Sequence, residues 1–169
     1  MKRLVWIMVP LTVLVLAVIA AHSLQPARSQ DRAPDRSQDA AWVNQQQLAL
    51  AQRSGAQGWQ VLEGGLRFRR IKGDGAGQHP TVADQVTIQY VGQLADGTEF
   101  DSSYGGPPAT FPLGRLIRAW QIALPLAGVG DTIEIAVPAE LGYGAEGAGP
   151  IPGGATLLFK IELVGIPRG

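Results

Sequence analysis

Apolar and polar positions change rhythm twice along this chain of 169 residues. Residues 4–21 carry no charge and almost no polar side chain. Residues 24–40 then bring charges of alternating sign (Arg28, Asp31, Arg32, Asp35, Arg36, Asp39) among Ser, Gln and Pro. Such a segment buries too little apolar surface to order itself and reads as a flexible tether. From residue 59 onward, short runs alternate apolar and polar side chains, the period of half-buried strands.

The alternation predicts strands at 59–62, 66–69, 86–91, 98–101, 131–137 and 156–164. In the third of these Val86, Ile88 and Tyr90 share one face. Asp96-Gly97 predicts a two-residue type I′ hairpin turn before the fourth. Two stretches read as helical. In 40–53, Trp42, Gln46, Leu50 and Arg53 make no clean apolar stripe. That leaves either a short helix leaning on the domain or a self-association contact through Trp42 and Leu48. In 116–124 the helix is short, because Pro125 lacks an N–H and Gly128 stands where a left-handed cap would fall. The sum is an α+β fold, an antiparallel sheet with one short helix covering one face. Trp120, the helix's largest apolar side chain, is expected to point into the concave face. Three segments follow: 1–23 as a signal sequence or signal anchor, 24–57 as a linker with a short helix, and 58–169 as the folded domain.

Lys2-Arg3 before an apolar stretch is the pattern of an export signal. At 18 residues, 4–21 exceeds the usual apolar core of about 7–15. It reaches the ~17–25 needed to span a bilayer. Either it is cut after Ser23, where Ala21 and Ser23 are small, or it remains as an anchor. Its length and the membrane tolerance of Pro10 favour the anchor. Both alternatives put the domain outside the cytoplasm, at the periplasmic face of the inner membrane or free in the periplasm.

The net charge of zero hides an uneven spread. Residues 1–72 hold ten Lys/Arg against four Asp/Glu, and residues 73–169 hold four against ten. The globular part is acidic, which argues against nucleic acid as a partner. Absence of cysteine removes disulfides, zinc–thiolate sites and thiol catalysis. The two histidines, His22 and His79, show no metal-ligand spacing, so no metal or cofactor is expected. The basic run Arg67, Arg69, Arg70, Lys72 reads as a solvated strand face rather than a phosphate site.

Hydrolytic chemistry finds little support. Ser102 and Ser103 have only His79 as a nearby base, and no elbow motif surrounds them. Glu99 and Asp101 lie on one strand face beside aromatics, a better setting for an acceptor than for an acid–base pair. Gly142-Tyr143-Gly144-Ala145-Glu146-Gly147 matches G-x-G-x-x-G, but Pro150 and Pro152 follow where a dinucleotide loop needs a helix. What remains is a set of aromatic side chains with a few hydroxyls, suited to rotation about a bond.

The ordered motifs Gln89-Tyr90-Val91-Gly92, Asp96-Gly97-Thr98-Glu99-Phe100-Asp101-Ser102-Ser103, Phe111-Pro112-Leu113-Gly114, Leu116-Ile117-x-x-Trp120, Val129-Gly130-Asp131, Ala139-Glu140-Leu141-Gly142-Tyr143-Gly144 and Ala155-Thr156-Leu157-Leu158-Phe159 carry a resemblance. Over about residues 60–167 the chain resembles the FK506-binding class of peptidyl-prolyl isomerases, in particular exported bacterial members. The resemblance implies a curved antiparallel sheet wrapped around one short α-helix. It implies an isomerase that rotates X–Pro bonds of exported proteins, without a cofactor. The alternative is a proline-peptide-binding chaperone or assembly module with little catalysis. By the same resemblance Trp120 forms the floor under the proline ring, and Tyr90, Phe100, Phe111 and Phe159 form the walls. Leu116 and Ile117 form the rim, with the Ile117 N–H as donor to a substrate carbonyl, and Ile151 belongs to the loop over the pocket. Tyr143 meets the peptide through its hydroxyl, and Asp101 accepts a hydrogen bond at the edge. Partners implied are proline-containing polypeptides and FK506- or rapamycin-type ligands. About 35 residues separate the apolar segment from the domain, too few for the long dimerisation domain of some exported relatives, so a monomer is expected. Tyr104-Gly105-Gly106 stands where the best-known members carry a basic partner for the aspartate. Ile151-Pro152-Gly153-Gly154 replaces an Ile-Pro-Pro run, which predicts a more mobile loop.

Overall fold

Strand β3 (Gln85–Leu94) is the longest in the sheet, and the other strands are arranged around it. Val86, Ile88, Tyr90, Gly92 and Leu94 are all buried, as strict alternation requires of a strand with one face on the core. The computed structural model describes residues 33, 36 and 38–167. The leader expected at 1–23 and most of the tether lie outside them.

Six further strands complete the sheet: β1 (Gln60–Val61), β2 (Arg67–Lys72), β4 (Glu99–Ser102), β5 (Ala109–Pro112), β6 (Thr132–Val137) and β7 (Leu157–Gly165). Their order is β1-β2-β6-β7-β3-β4, with β5 also on β3, and every pairing is antiparallel. One edge of β3 is shared, β5 against Gln85–Ile88 and β4 against Val91–Gln93. The other edge pairs with β7 along almost its whole length. Helix α1 (Ala40–Ala51) precedes the sheet, and helix α2 (Arg118–Ala123) lies between β5 and β6. The core gathers Ile88, Tyr90, Ile135, Leu157, Phe159 and Ile161 from the strands against Ala119, Trp120 and Ala123 from α2.

Three local expectations change. The β3–β4 turn is not a two-residue type I′ turn. Its closing bond runs from the Gly97 N–H to the Leu94 carbonyl (2.9 Å), and the Leu94 N–H meets Thr98 O at 2.8 Å. The connection is three residues long, and its left-handed position falls on Gly97 (φ 88°). Asp96 accepts from the Thr98 N–H at 2.9 Å, a bond that stabilises this longer loop. Nor is Gly128 a left-handed cap. Helix α2 gives way to a 3-10 turn, Leu124–Leu126, and a Cβ on Gly128 would lie 2.8 Å from the Gly77 nitrogen. Close passage of the chain at Gly77 is what requires glycine there. The basic run of β2 is only partly solvated: Lys72 is exposed, and the three arginines are half-buried and engaged within the chain. Arg67 donates to Leu50 O (3.3 Å), Arg69 pairs with Glu134, and Arg70 pairs with Asp131.

Helix α1 is docked on the domain. Asp39 caps it by accepting from the Ala41 and Trp42 amides. Its buried side chains are Trp42, Gln46 and Ala49, a stripe of helical spacing disguised by one amide and one methyl. Trp42 is 2% exposed and belongs to the core, so it is not available for self-association, whereas Leu48 lies on the surface. On the far face of the sheet, Trp59 lies between the guanidiniums of Arg69 (4.6 Å) and Arg53 (5.6 Å).

Asp131 fixes the turn into β6. It is 2% exposed and accepts from Gly128 N (2.8 Å), Arg70 Nε (2.9 Å) and Gly75 N (3.2 Å). Burial works to raise its pKa, but these donors prevail and hold the carboxyl below the ordinary carboxylate value. Asp131→Ala is expected to cost about 2–4 kcal/mol in urea unfolding, because it strands buried donors. A folded pKa below the unfolded one means that this stabilisation is full above about pH 4. It is lost as pH falls through the folded value. Asp131→Asn should flatten that part of the acid limb.

Candidate active site

Helix α2 is only six residues long, and alanines at 119 and 123 let it sit deep in the sheet. Trp120 between them meets Tyr90 of β3 and Phe159 of β7, each with ring centroids 5.2 Å away and near-perpendicular planes. Edge-to-face packing of this kind adds about 0.5–1.5 kcal/mol per pair beyond burial. Phe111 of β5 packs on Tyr90 (6.4 Å), and Phe100 of β4 packs on Phe159 (5.6 Å). Four strands and one helix therefore contribute to a single aromatic cluster.

A cavity of about 190 Å³ opens above it, lined by Tyr90, Phe100, Asp101, Phe111, Leu116, Ile117, Trp120, Tyr143 and Phe159. Nine of the ten residues assigned to the site from sequence surround this space. Ile151, the tenth, is 5% exposed, belongs to the core, and exchanges backbone hydrogen bonds with Ala148 (2.9 and 3.0 Å). It supports the loop from beneath and is not among the cavity's lining.

Gly92 makes room for two of the walls. A Cβ there would lie 2.7 Å from Phe100 Cζ and 2.8 Å from Phe159 Cε1. The Tyr90 hydroxyl donates to Asp101 Oδ2 at 2.6 Å. Burial, that hydrogen bond and the Asp101 charge push the Tyr90 pKa well above the ordinary phenol value. Burial and the Asp101 charge also raise Tyr143. Both hydroxyls stay protonated at neutral pH. No ion pair reaches Asp101 among the described residues; its partner is a phenol of the pocket itself.

The two serines, weighed as nucleophiles, hold β4 against β3. Ser103 Oγ accepts from the Tyr90 N–H (2.8 Å) and donates to Gln89 Oε1 (2.5 Å). Ser102 Oγ donates to Tyr90 O (3.3 Å). His79 is spent elsewhere, on Pro125 O and Gly75 O. Among the described residues no group of three His, Cys, Asp or Glu could hold a metal ion. The glycine-rich segment 142–147 is a loop of turns, as Pro150 and Pro152 after it required. The pair Gly153-Gly154 contributes packing as well as freedom. A Cβ on Gly153 would lie 2.0 Å from Ala145 O, and the Gly154 N–H donates to Gly144 O at 2.9 Å.

A curved sheet closed over one short helix, with an aromatic cavity between them, has counterparts among solved structures. A peptidyl-prolyl cis-trans isomerase from Pseudomonas syringae pv. tomato superposes with a TM-score of 0.70 at 30% identity, covering 81% of this chain and 98% of that one. FkpA from Escherichia coli gives 0.69 at 32% identity, covering 78% and 62%. In sequence, the chain is 44% identical over 113 residues to the peptidyl-prolyl cis-trans isomerase Mip of Coxiella burnetii, 66% of this chain and 49% of that protein. It is 41% identical over 124 residues to the peptidyl-prolyl cis-trans isomerase FKBP2 of Mus musculus, 71% and 86%. The chain spans about half the length of the bacterial curated relatives it matches. The FKBP-type peptidyl-prolyl cis-trans isomerase family matches residues 76–164, and the chain belongs to that family.

Gly92→Ala should push Phe100 and Phe159 into the cavity. Overpacking of this kind costs about 1–3 kcal/mol. A folded Gly92→Ala variant is expected to bind a proline peptide more weakly than wild type in a fluorescence titration of the pocket tryptophan.

Proposed function

We propose that this chain is a peptidyl-prolyl cis-trans isomerase acting on X–Pro bonds of polypeptides outside the cytoplasm. The observation that carries this reading is the cavity: aromatic on its floor and walls, with one aspartate at its edge and that aspartate already accepting from Tyr90. Rotation about a peptide bond meets a barrier of about 18–20 kcal/mol, because amide resonance must be broken. Uncatalysed, an X–Pro bond takes tens to hundreds of seconds. Resonance places negative charge on the carbonyl oxygen, and water stabilises it. A proline ring seated over Trp120 between Tyr90, Phe111 and Phe159 brings its amide out of water, which favours the less polar twisted form. Every ~1.4 kcal/mol of such differential stabilisation is tenfold in rate.

In this reading Tyr143 donates from a hydroxyl that keeps its proton. The Ile117 amide, placed ahead of the first bond of α2, donates to a substrate carbonyl. Leu116 and Ile117 cover the rim. Asp101 fixes the Tyr90 ring and biases the edge of the pocket toward donors. FK506- and rapamycin-type ligands would occupy the same space. The residues of the opening 23 supply the route to the periplasmic side, as a cleaved signal or as an anchor. Among the described residues no helix is long and apolar enough to cross a membrane.

A proline tetrapeptide assay followed by its cis-to-trans relaxation tests the activity. Acceleration by the full chain and its block by FK506 are expected; a folded protein with no rate above background overturns the reading. Tyr143→Phe should lower kcat/KM by about three- to tenfold, the loss of one hydrogen bond in the transition state. Because both tyrosine hydroxyls hold their protons past the ordinary phenol value of about 10, their ionisation should leave no inflection between about pH 6 and 9. Alkaline extraction of membranes separates the two leader readings: an anchored chain stays in the pellet and a cleaved one is released.

A further inference from the structure

We propose that helix α1 is a working part of the catalytic site, with Gln46 as the positioning residue for the loop that carries Tyr143. The idea rests on the isomerase reading for its activity arm and on geometry for the rest. Helix α1 lies ahead of residues 76–164, the segment matched by the family.

Gln46 is 5% exposed, and Thr156, its partner, is 2% exposed. The Thr156 N–H donates to Gln46 Oε1 at 2.9 Å, and Thr156 Oγ1 donates to the Gln46 backbone carbonyl at 3.2 Å. Gln46 Nε2 donates to Trp42 O at 3.3 Å, which holds the amide in its orientation. Thr156 stands at the junction between the loop and β7. On one side, Phe159 of the cavity wall follows three residues later. On the other, the Gly154 N–H reaches Gly144 O (2.9 Å), next to Tyr143, and the Gly147 N–H reaches Tyr143 O (3.2 Å). Five glycines occupy residues 142–154 after the first, at 144, 147, 149, 153 and 154. Such a segment has much backbone entropy to lose, and an external tie is what keeps it in one conformation. Upstream of α1, the Ala33 N–H donates to Gly149 O at 2.9 Å, a second tie at the loop's tip.

Behind the loop, a cavity of about 270 Å³ separates α1 from residues 138–140 and 153–154. Ile151 and Ala155 fix the loop to the core; on the α1 side, where this cavity lies, the constraint comes from the Gln46–Thr156 pair. Trp42 secures the helix end of the brace, buried in the core under the Arg36 guanidinium at 4.5 Å.

The test uses the full chain with Gln46→Met, which keeps shape and helix propensity but cannot accept from the Thr156 amide. Thr156→Val, which removes only the hydroxyl bond, is the second variant should the first fail to fold. Amide exchange at residues 142–156 should quicken at least tenfold while β3 and β6 stay protected. KM for a proline peptide should rise about three- to tenfold with kcat changed less than twofold. Unchanged loop exchange in a folded variant overturns the proposal, as does exchange that quickens evenly through the sheet, the mark of a merely stabilising contact. Wild-type protein without turnover would remove the isomerase reading, while the exchange arm still decides the brace.

Discussion

The structure depends on the contact of one indole with two rings. Trp120 must meet Tyr90 and Phe159 edge-on, and those rings belong to adjacent strands of the sheet. A flat sheet and a long helix would keep them apart. The helix is therefore short and flanked by alanines where it approaches, and the sheet curves around it. Gly92, between Tyr90 and the strand's end, gives Phe100 and Phe159 the space to complete the ring of contacts. Floor, walls and core are one continuous cluster, so the pocket inherits the rigidity of the interior.

The polar groups around this cluster are arranged to leave little free. The Asp101 carboxylate is occupied by a phenol, and the serines are spent on the β3 backbone. His79 is spent on a distant turn. A site of this kind offers a substrate shelter and orientation, with almost no means of moving a proton. Such poverty of acid and base suits a reaction in which no bond is made or broken.

Much of this was legible in the chain. Alternation in 86–91 reported β3, since one of its faces is buried and the other is not; in 131–137 the spacing of Ile133, Ile135 and Val137 reported β6, although Thr132 and Ala136 on its other face are buried as well. The ordered motifs located nine of the cavity's residues. What escaped detection shares a physical cause: polar or small residues doing the work of a core. The buried stripe of α1 contains Gln46 and Ala49, so hydrophobic periodicity passed over a helix that the domain holds firmly. Asp131 is expected to open the strand 131–137, and only the fold brings Arg70, Gly75 and Gly128 around it in the turn before that strand. Gly128 and Gly153 were interpreted by backbone freedom, whereas the structure needs them for close passage of another chain segment. Ile151 was placed by its neighbours in a motif and proved to face inward.

The position of β7 has a consequence for how the protein is made. This last strand of the described chain does not lie at the sheet's edge; it runs between β6 and β3. Until it arrives, β3 lacks one whole edge, the cavity lacks Phe159, and Trp120 has only one of its two partners. The pairing Leu94↔Leu157 to Ile88↔Leu163 joins segments more than sixty residues apart. Contacts that distant make for slow closure. During synthesis or passage through a membrane, the N-terminal portion would wait as an unsealed half-sheet. The pocket is complete only once the final strand has been threaded into the gap between β6 and β3.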